Sequence, residues 1–180
     1  MRGSTHAVIG ANTVWIPLLA GLTVQPWLVA VGAFAALLPD LDASESKIKS
    51  LTVGGYVGKT KVGIRPFVPI AMVFSTIFGH RGALHSLLAV VIVAGASTFL
   101  IPYVGAAGLV VIILGYASHL AADAMTKSGI EFLWPLKMRF GLLPHFIRVK
   151  TGGILDTLLS LIGSGGVVVF LYQYIGTLKI

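Results

Sequence analysis

The chain has no cysteine, and few of its 180 residues are charged. Without cysteine it forms no disulfides and offers no thiolate ligands, so any metal site must use histidine and carboxylate side chains. Charged residues make up 11% of the chain, whereas soluble domains usually contain about 25%. Hydrophobic residues make up 56%, and the mean hydropathy is +0.94. Such a chain cannot cover its surface with polar groups, which favours an integral membrane protein.

Long apolar runs recur along the chain, although the run at 26–38 is short, and a spanning helix needs about 20 such residues. We predict an all-α integral membrane bundle, a single membrane-embedded domain over residues 1–180. It has about five transmembrane helices, at 7–24, 26–38, 83–101, 104–122 and 153–175. The apolar run 67–78 is too short to cross comfortably and fits a short interfacial or re-entrant helix. The remaining stretches, 43–66 and 127–150, are predicted to be basic loops.

The basic residues predict the orientation of these helices. With five spans, every lysine and arginine except Lys179 falls on the same side of the membrane. The positive-inside bias makes that side cytoplasmic and places the C-terminus outside. We therefore expect a multi-pass protein of the inner membrane that contacts membrane lipids, with no nucleic-acid partner.

The same topology gathers histidines and aspartates at the cytoplasmic helix ends. These residues are His6, Asp40, Asp42, His80, His85, His119 and Asp123. Such side chains in lipid-embedded helices are costly, and they usually pair with one another or mark a working site. His119 and Asp123 are one helical turn apart and share a face. Asp40 and Asp42 follow Pro39, so we expect an extended segment that points both carboxylates the same way.

Imidazole and carboxylate groups together predict a divalent-metal site that suits Zn²⁺, Mn²⁺ or Fe²⁺. Asp42 is expected to be either a ligand or an acceptor that orients a ligand histidine. A bound cation would activate water for attack on an ester, and Arg81 is suited to steady a phosphate. The predicted ligands are His6, Asp40, His80, His85, His119 and Asp123.

Simpler interpretations stay open. Asp42 fits the N-cap of a following helix, and Asp123 is spaced to pair with Lys127 on a helix surface. His6 fits an ordinary interfacial histidine, and His145 has no acid nearby and is expected to be a loop residue. For the whole protein, the polar cluster is also compatible with an ion or metal transporter, or with a non-catalytic protein that carries a structural metal site.

Four motifs occur in a fixed order along the chain. They are Thr5-His6, LLPDLD at 37–42, GHRGALHS at 79–86 and GYASHLAADAMTKSGIEFLWPL at 115–136. In this order they resemble the YdjM-like family of membrane-bound, metal-dependent hydrolases, over residues 5–157. The resemblance implies that the six predicted ligands occupy the ligand positions of the family.

The chain departs from the family pattern at two positions. Leu84 stands where threonine is usual, and Asp156 stands where the family tends to have a glutamate that is a candidate for an extra ligand. The family is distantly similar to zinc-dependent phospholipase C. That similarity implies hydrolysis of a phosphoester at a multi-metal site, and we expect zinc as the metal. A site that opens at the membrane surface favours a lipid-linked or other phosphate-bearing anion as substrate.

Overall fold

The computed structural model describes residues 1–42, 53–57, 60–64 and 83–177, with only the backbone for Asp42, Thr177 and the two middle ranges. Its helices are α1 (Gly3–Ala11), α2 (Trp15–Leu19), α3 (Leu28–Ala35), α4 (Leu87–Ser97), α5 (Ile101–Ala124) and α6 (Ile154–Thr177). Short 3-10 turns lie at Asn12–Val14, Leu38–Asp42, Ala83–His85, Thr98–Leu100 and His145–Ile147. The predicted helical bundle is confirmed.

Two helical stretches in the described ranges are long and apolar enough to cross a membrane, Leu87–Ala124 and Ile154–Gly176. Only 11% of the most apolar window in each stretch is buried, so most of these apolar side chains face outward, as expected of helices that contact lipid. The first stretch folds back on itself. Gly105 interrupts α5 with a φ of 67°, a conformation that favours glycine, and the start of α4 packs beside the end of α5.

Helices α1, α3 and α5 approach one another closely at three glycines. A β-carbon on Gly10 would collide with Ala36 and with the Gly32 carbonyl, and one on Gly32 would collide with the Gly10 carbonyl. A β-carbon on Gly115 would lie 2.8 Å from the Gly32 carbonyl oxygen. Small residues let helix backbones pack this closely in lipid. The contact holds the end of α3 against the middle of α5.

Helix α6 is joined by polar contacts to the residues on either side of α1, at two levels. Asn12 Nδ2 donates a hydrogen bond to the carbonyl oxygen of Gly163 at 2.8 Å. At the start of α6, Asp156 Oδ2 accepts hydrogen bonds from the backbone N–H groups of Gly152, at 2.7 Å, and Arg2, at 3.2 Å. A carboxylate in the first turn also complements the helix dipole. These contacts fix the beginnings of α1 and α6 side by side.

The prediction of an extended segment after Pro39 is wrong, because Asp40 lies in the 3-10 turn Leu38–Asp42. Proline is compatible with the first turn of a helix, since its φ is already helical and its missing N–H has no partner there.

Part of the predicted loop 43–66 is a two-stranded hairpin. Strands β1 (Val53–Val57) and β2 (Thr60–Ile64) pair in antiparallel fashion, with Val57 opposite Thr60. The predicted interfacial helix at 67–78 lies outside the described residues.

Candidate metal centre

Five of the predicted ligands lie together, although they come from four separate segments. His6 lies on α1, Asp40 in the turn after α3, His85 in the turn before α4, and His119 and Asp123 on α5. Their donor atoms form two groups, one of His6, His119 and Asp123 and one of Asp40, His85 and His119. Within each group the donor atoms lie within 4.8 Å of one another. His119 belongs to both groups, so the two form one continuous cluster.

The distances within this cluster fit a small divalent cation. His119 Nε2 lies 3.6 Å from Asp40 Oδ1 and 3.8 Å from Asp123 Oδ2, and His85 Nε2 lies 3.9 Å from each of the same oxygens. Neighbouring ligand atoms on tetrahedral zinc lie about 3.3–3.6 Å apart, given bonds of roughly 2.0–2.2 Å. A contraction of a few tenths of an ångström would reach that spacing. The cluster could therefore hold a metal ion.

A backbone hydrogen bond orients the shared ligand, His119. Its Nδ1 lies 2.6 Å from the carbonyl oxygen of Ala36. Because a carbonyl only accepts, Nδ1 carries a proton, and in the neutral ring Nε2 then presents its lone pair to the carboxylates. His119 Nε2 is buried and makes no hydrogen bond to any described residue. A histidine with one nitrogen held by a carbonyl and the other free to bind is typical of metal ligands.

His6 and Asp123 close the other side of the cluster. The His6 ring stacks on His119 with a centroid separation of 3.7 Å, and His6 Nε2 lies 3.1 Å from Asp123 Oδ1. The same oxygen lies 2.5 Å from the amino group of Met1, while Oδ2 faces the remaining histidines. The side chains of His6 and Asp123 are 1% and 2% exposed. The alternative of a surface ion pair between Asp123 and Lys127 is therefore wrong.

Contacts that the sequence analysis did not identify support the turn that carries His85. The Tyr116 hydroxyl donates to the carbonyl oxygen of Leu84 at 2.6 Å. Ser86 is the N-cap of α4, and its Oγ accepts from the N–H of Ala89 at 3.3 Å. A serine before an apolar run is a recognisable cap signal. The tyrosine contact joins two elements and has no such local signal.

The other residues considered for the site are either not fully described by the structure or lie outside the His/Asp cluster. His80 and Arg81 lie outside the described residues, and for Asp42 only the backbone is described, in the turn after α3. Asp156, considered as an extra ligand, belongs to neither metal-compatible group found among the described residues, and it binds backbone N–H groups instead. His145 is exposed in a 3-10 turn of the loop after α5, as expected of a loop residue.

Known proteins similar to this chain include bacterial inner membrane proteins. The family model described as YdjM inner membrane protein matches residues 1–178. The inner membrane protein YdjM of Escherichia coli K12 is 34% identical over 141 residues, which cover 76% of this chain and 63% of that protein. The chain thus spans less than two thirds of that relative.

A second relative is matched over most of its length. The protein YvsG of Bacillus subtilis 168, which is named as uncharacterized, is 35% identical over 161 residues, covering 88% of this chain and 86% of that protein. No solved structure matches the chain. Because the family model extends over nearly the whole sequence, including every segment that builds the His/Asp cluster, the chain belongs to the YdjM family of inner membrane proteins.

Proposed function

We propose that the protein is a membrane-bound, metal-dependent hydrolase that cleaves a phosphoester at the cytoplasmic surface of the inner membrane. The observation that carries this proposal is the convergence of three histidines and two aspartates, from four chain segments, in one cluster. Burying several carboxylates and imidazoles together is costly, and a divalent cation would compensate the charge of the cluster. Zinc suits this ligand set, and manganese or iron would also fit.

In this proposal the metal would be held by His6, Asp40, His85, His119 and Asp123, with His80 as a sixth ligand. This many ligands could hold more than one ion. When bound, the cation acts as a Lewis acid toward a phosphoryl oxygen and makes a water molecule more acidic. A catalytic metal also needs an open position for the substrate. Asp40 has a side chain that is 19% exposed, whereas the other four are almost completely buried. The substrate is therefore expected to approach from the side of Asp40.

The proposed reaction is hydrolysis. The oxygen of water bonds to phosphorus, the bond between phosphorus and the alcohol oxygen breaks, and that alcohol oxygen takes up the proton that water loses. Arg81 steadies the phosphate oxygens, since a guanidinium binds them through paired hydrogen bonds. Asp42 assists either as a further ligand or by orienting a ligand histidine.

We also propose the five-span topology, with the site and the basic loops on the cytoplasmic side and the C-terminus outside. The distribution of basic residues supports it, because only Lys179 falls on the other side. The basic loop 43–66 would attract a phosphate-bearing headgroup to the cluster.

Polar side chains farther from the cluster favour a hydrolase over a transporter. Asn12, Thr13, Ser97 and Thr98 each donate a hydrogen bond to a carbonyl three or four residues earlier in the chain, at 2.6–2.8 Å. Hydroxyl and amide groups bonded in this way have hydrogen-bond partners within their own segment of chain. A transport path would instead need polar groups that face a cavity near the middle of the membrane.

The decisive experiment compares the wild type with His85→Ala, Asp123→Ala and the exposed control His145→Ala, all purified in detergent. Bound metal is measured by mass spectrometry, and phosphate release from phosphatidic acid and cleavage of bis(p-nitrophenyl) phosphate are measured in parallel. We expect the wild type and His145→Ala to bind metal and hydrolyse substrate, and the other two variants to lose both. Metal binding by the wild type without hydrolysis of either substrate would reduce the cation to a structural role. Equal metal content in all four proteins would exclude His85 and Asp123 as ligands.

A further inference from the structure

An apolar groove of about 300 Å³ lies beside the candidate metal centre. One wall is formed by Leu41, in the turn after α3, and by Leu84, in the turn before α4. The groove continues along α4 past Ile92 and Val93, and Trp134 contributes to its lining. We call this space the α4 groove.

Two turns that line the α4 groove also carry candidate ligands. Leu41 directly follows Asp40, and Leu84 directly precedes His85. On α4 the lining extends from Leu88 to Val93, five residues, which corresponds to about 7.5 Å along a helix. The groove therefore extends from the two turns that carry Asp40 and His85 along α4.

We propose that the α4 groove binds one acyl chain of a bilayer phospholipid and thereby positions the lipid phosphate at the His/Asp cluster. This inference rests on the hydrolase function proposed above and specifies its substrate class. A ligand that fits both regions must be hydrocarbon at one end and anionic at the other. Leu88 and Ile92, which line the groove, are 47% and 61% exposed, so the groove opens on the apolar surface of α4. A chain can thus enter sideways from the bilayer.

A second apolar cleft provides an internal comparison. It has a volume of about 460 Å³ and lies between α4, α5 and the loop after α5, where Val90, Leu120 and Phe140 line it. None of its lining residues comes from the two 3-10 turns that carry Asp40 and His85. One of its lining residues, Leu120, also directly follows a candidate ligand, but that ligand is buried. Beside the α4 groove lies Asp40, whose side chain is 19% exposed, and the proposed substrate approaches from that side.

Three valines on α4 allow a matched test in the full chain. Val93 lines the α4 groove, Val90 lines the larger cleft, and Val91 is 61% exposed and lines neither. Each is replaced by phenylalanine. The probe is phosphatidic acid with a diazirine in one acyl chain, in phosphatidylcholine nanodiscs, and cross-linked peptides are identified by mass spectrometry. We expect cross-links of the wild type at the α4 groove and no change in the number of cross-links in Val90→Phe and Val91→Phe. Val93→Phe should give about tenfold fewer, because a change in the size of an apolar pocket changes binding on this scale.

The proposal is overturned if cross-links fall at the larger cleft, or if the three variants reduce labelling equally. If Val93→Phe does not fold, Ile92→Trp narrows the same groove from a more exposed position and must give the same loss. Phosphate release from dioctanoyl and dioleoyl phosphatidic acid separates this inference from the hydrolase proposal. Labelling of the α4 groove without phosphate release would support lipid binding in the groove and contradict the hydrolase proposal. Phosphate release with the same dependence on acyl-chain length in the wild type and Val93→Phe would support the hydrolase proposal and contradict acyl-chain binding in the groove.

Discussion

At the scale of single residues, His119 connects both halves of the candidate site. Its Nε2 faces Asp40 and Asp123, its Nδ1 donates to the Ala36 carbonyl, and its ring stacks on His6. The side chain therefore has two roles that can be separated, one as a hydrogen-bond donor to α3 and one as a candidate metal ligand.

The variant His119→Asn separates these roles. The amide nitrogen of asparagine can replace Nδ1 in the bond to Ala36, but no atom of asparagine reaches the position of Nε2. We expect a melting temperature close to that of the wild type and a metal affinity at least about 100-fold lower, because loss of an outer partner alone costs ~10–100-fold. Chelator competition and a thermal melt of the detergent-solubilised protein measure the two quantities. A variant that keeps its metal would exclude His119 as a ligand.

Asp156 is the buried carboxylate that the structure assigns to folding rather than to the cluster. Its removal leaves the N–H groups of Gly152 and Arg2 without an acceptor, so Asp156→Ala should lower the free energy of unfolding by about 1–3 kcal/mol. Asp156→Asn keeps one acceptor oxygen and should lose less. Both variants should retain the wild-type metal content, measured beside a denaturant titration. Loss of metal from a folded Asp156→Asn protein would instead identify a ligand.

At the scale of elements, the close contact of α1, α3 and α5 determines the geometry of the site. The contact at Gly32 places the end of α3 against α5, which brings the Ala36 carbonyl to His119 and carries the chain on to Asp40. Widening this contact should therefore disturb the cluster as well as the fold.

Two glycines provide a matched pair for this prediction. A β-carbon on Gly10 would collide with Ala36 and with the Gly32 carbonyl, whereas one on Gly165 would have no neighbour within 4 Å. We expect Gly10→Ala to lose about 1–3 kcal/mol of stability through overpacking, and to bind metal more weakly. Gly165→Ala should be neutral or slightly stabilising, because alanine loses less conformational entropy than glycine when a helix forms. Equal melting temperatures and equal metal affinities for the two variants would contradict this view of the helix contact.

At the scale of the whole molecule, we predict the orientation of the bundle in the membrane from the distribution of charge. The absence of cysteine makes a direct test possible, since a single introduced thiol is the only one in the protein. Lys137 is exposed in the loop between α5 and α6, and Gly176 is exposed near the end of α6.

We expect Gly176→Cys to react with a membrane-impermeant maleimide in intact spheroplasts, and Lys137→Cys to react only after permeabilisation. The reason is that basic loops stay in the cytoplasm and α6 is long enough to cross. Labelling is read from a mass shift on gels. The reverse pattern would invert the topology, and labelling of both sites from the same side would show that α6 does not cross.

Some of the candidate site could be predicted from the sequence. His119 and Asp123 are one helical turn apart, so their shared face follows from helix geometry alone. The hairpin of β1 and β2 was missed, although two short valine-containing runs separated by Gly58 and Lys59 are typical of a tight β-turn. The Ala36 carbonyl could not be predicted, because every residue has one and only packing selects which lies near His119.

The sequence by itself determined that this protein is a helical membrane protein with histidine and carboxylate as its metal-compatible groups. Hydropathy, the length of apolar runs and the lack of cysteine are properties of short stretches, and they need no knowledge of distant contacts. Only the tertiary structure decided that Asp40 and His85 meet His119, and that Asp156 lies apart from them. Those outcomes depend on how closely α1, α3 and α5 pack, which is set by small residues facing one another from distant parts of the chain.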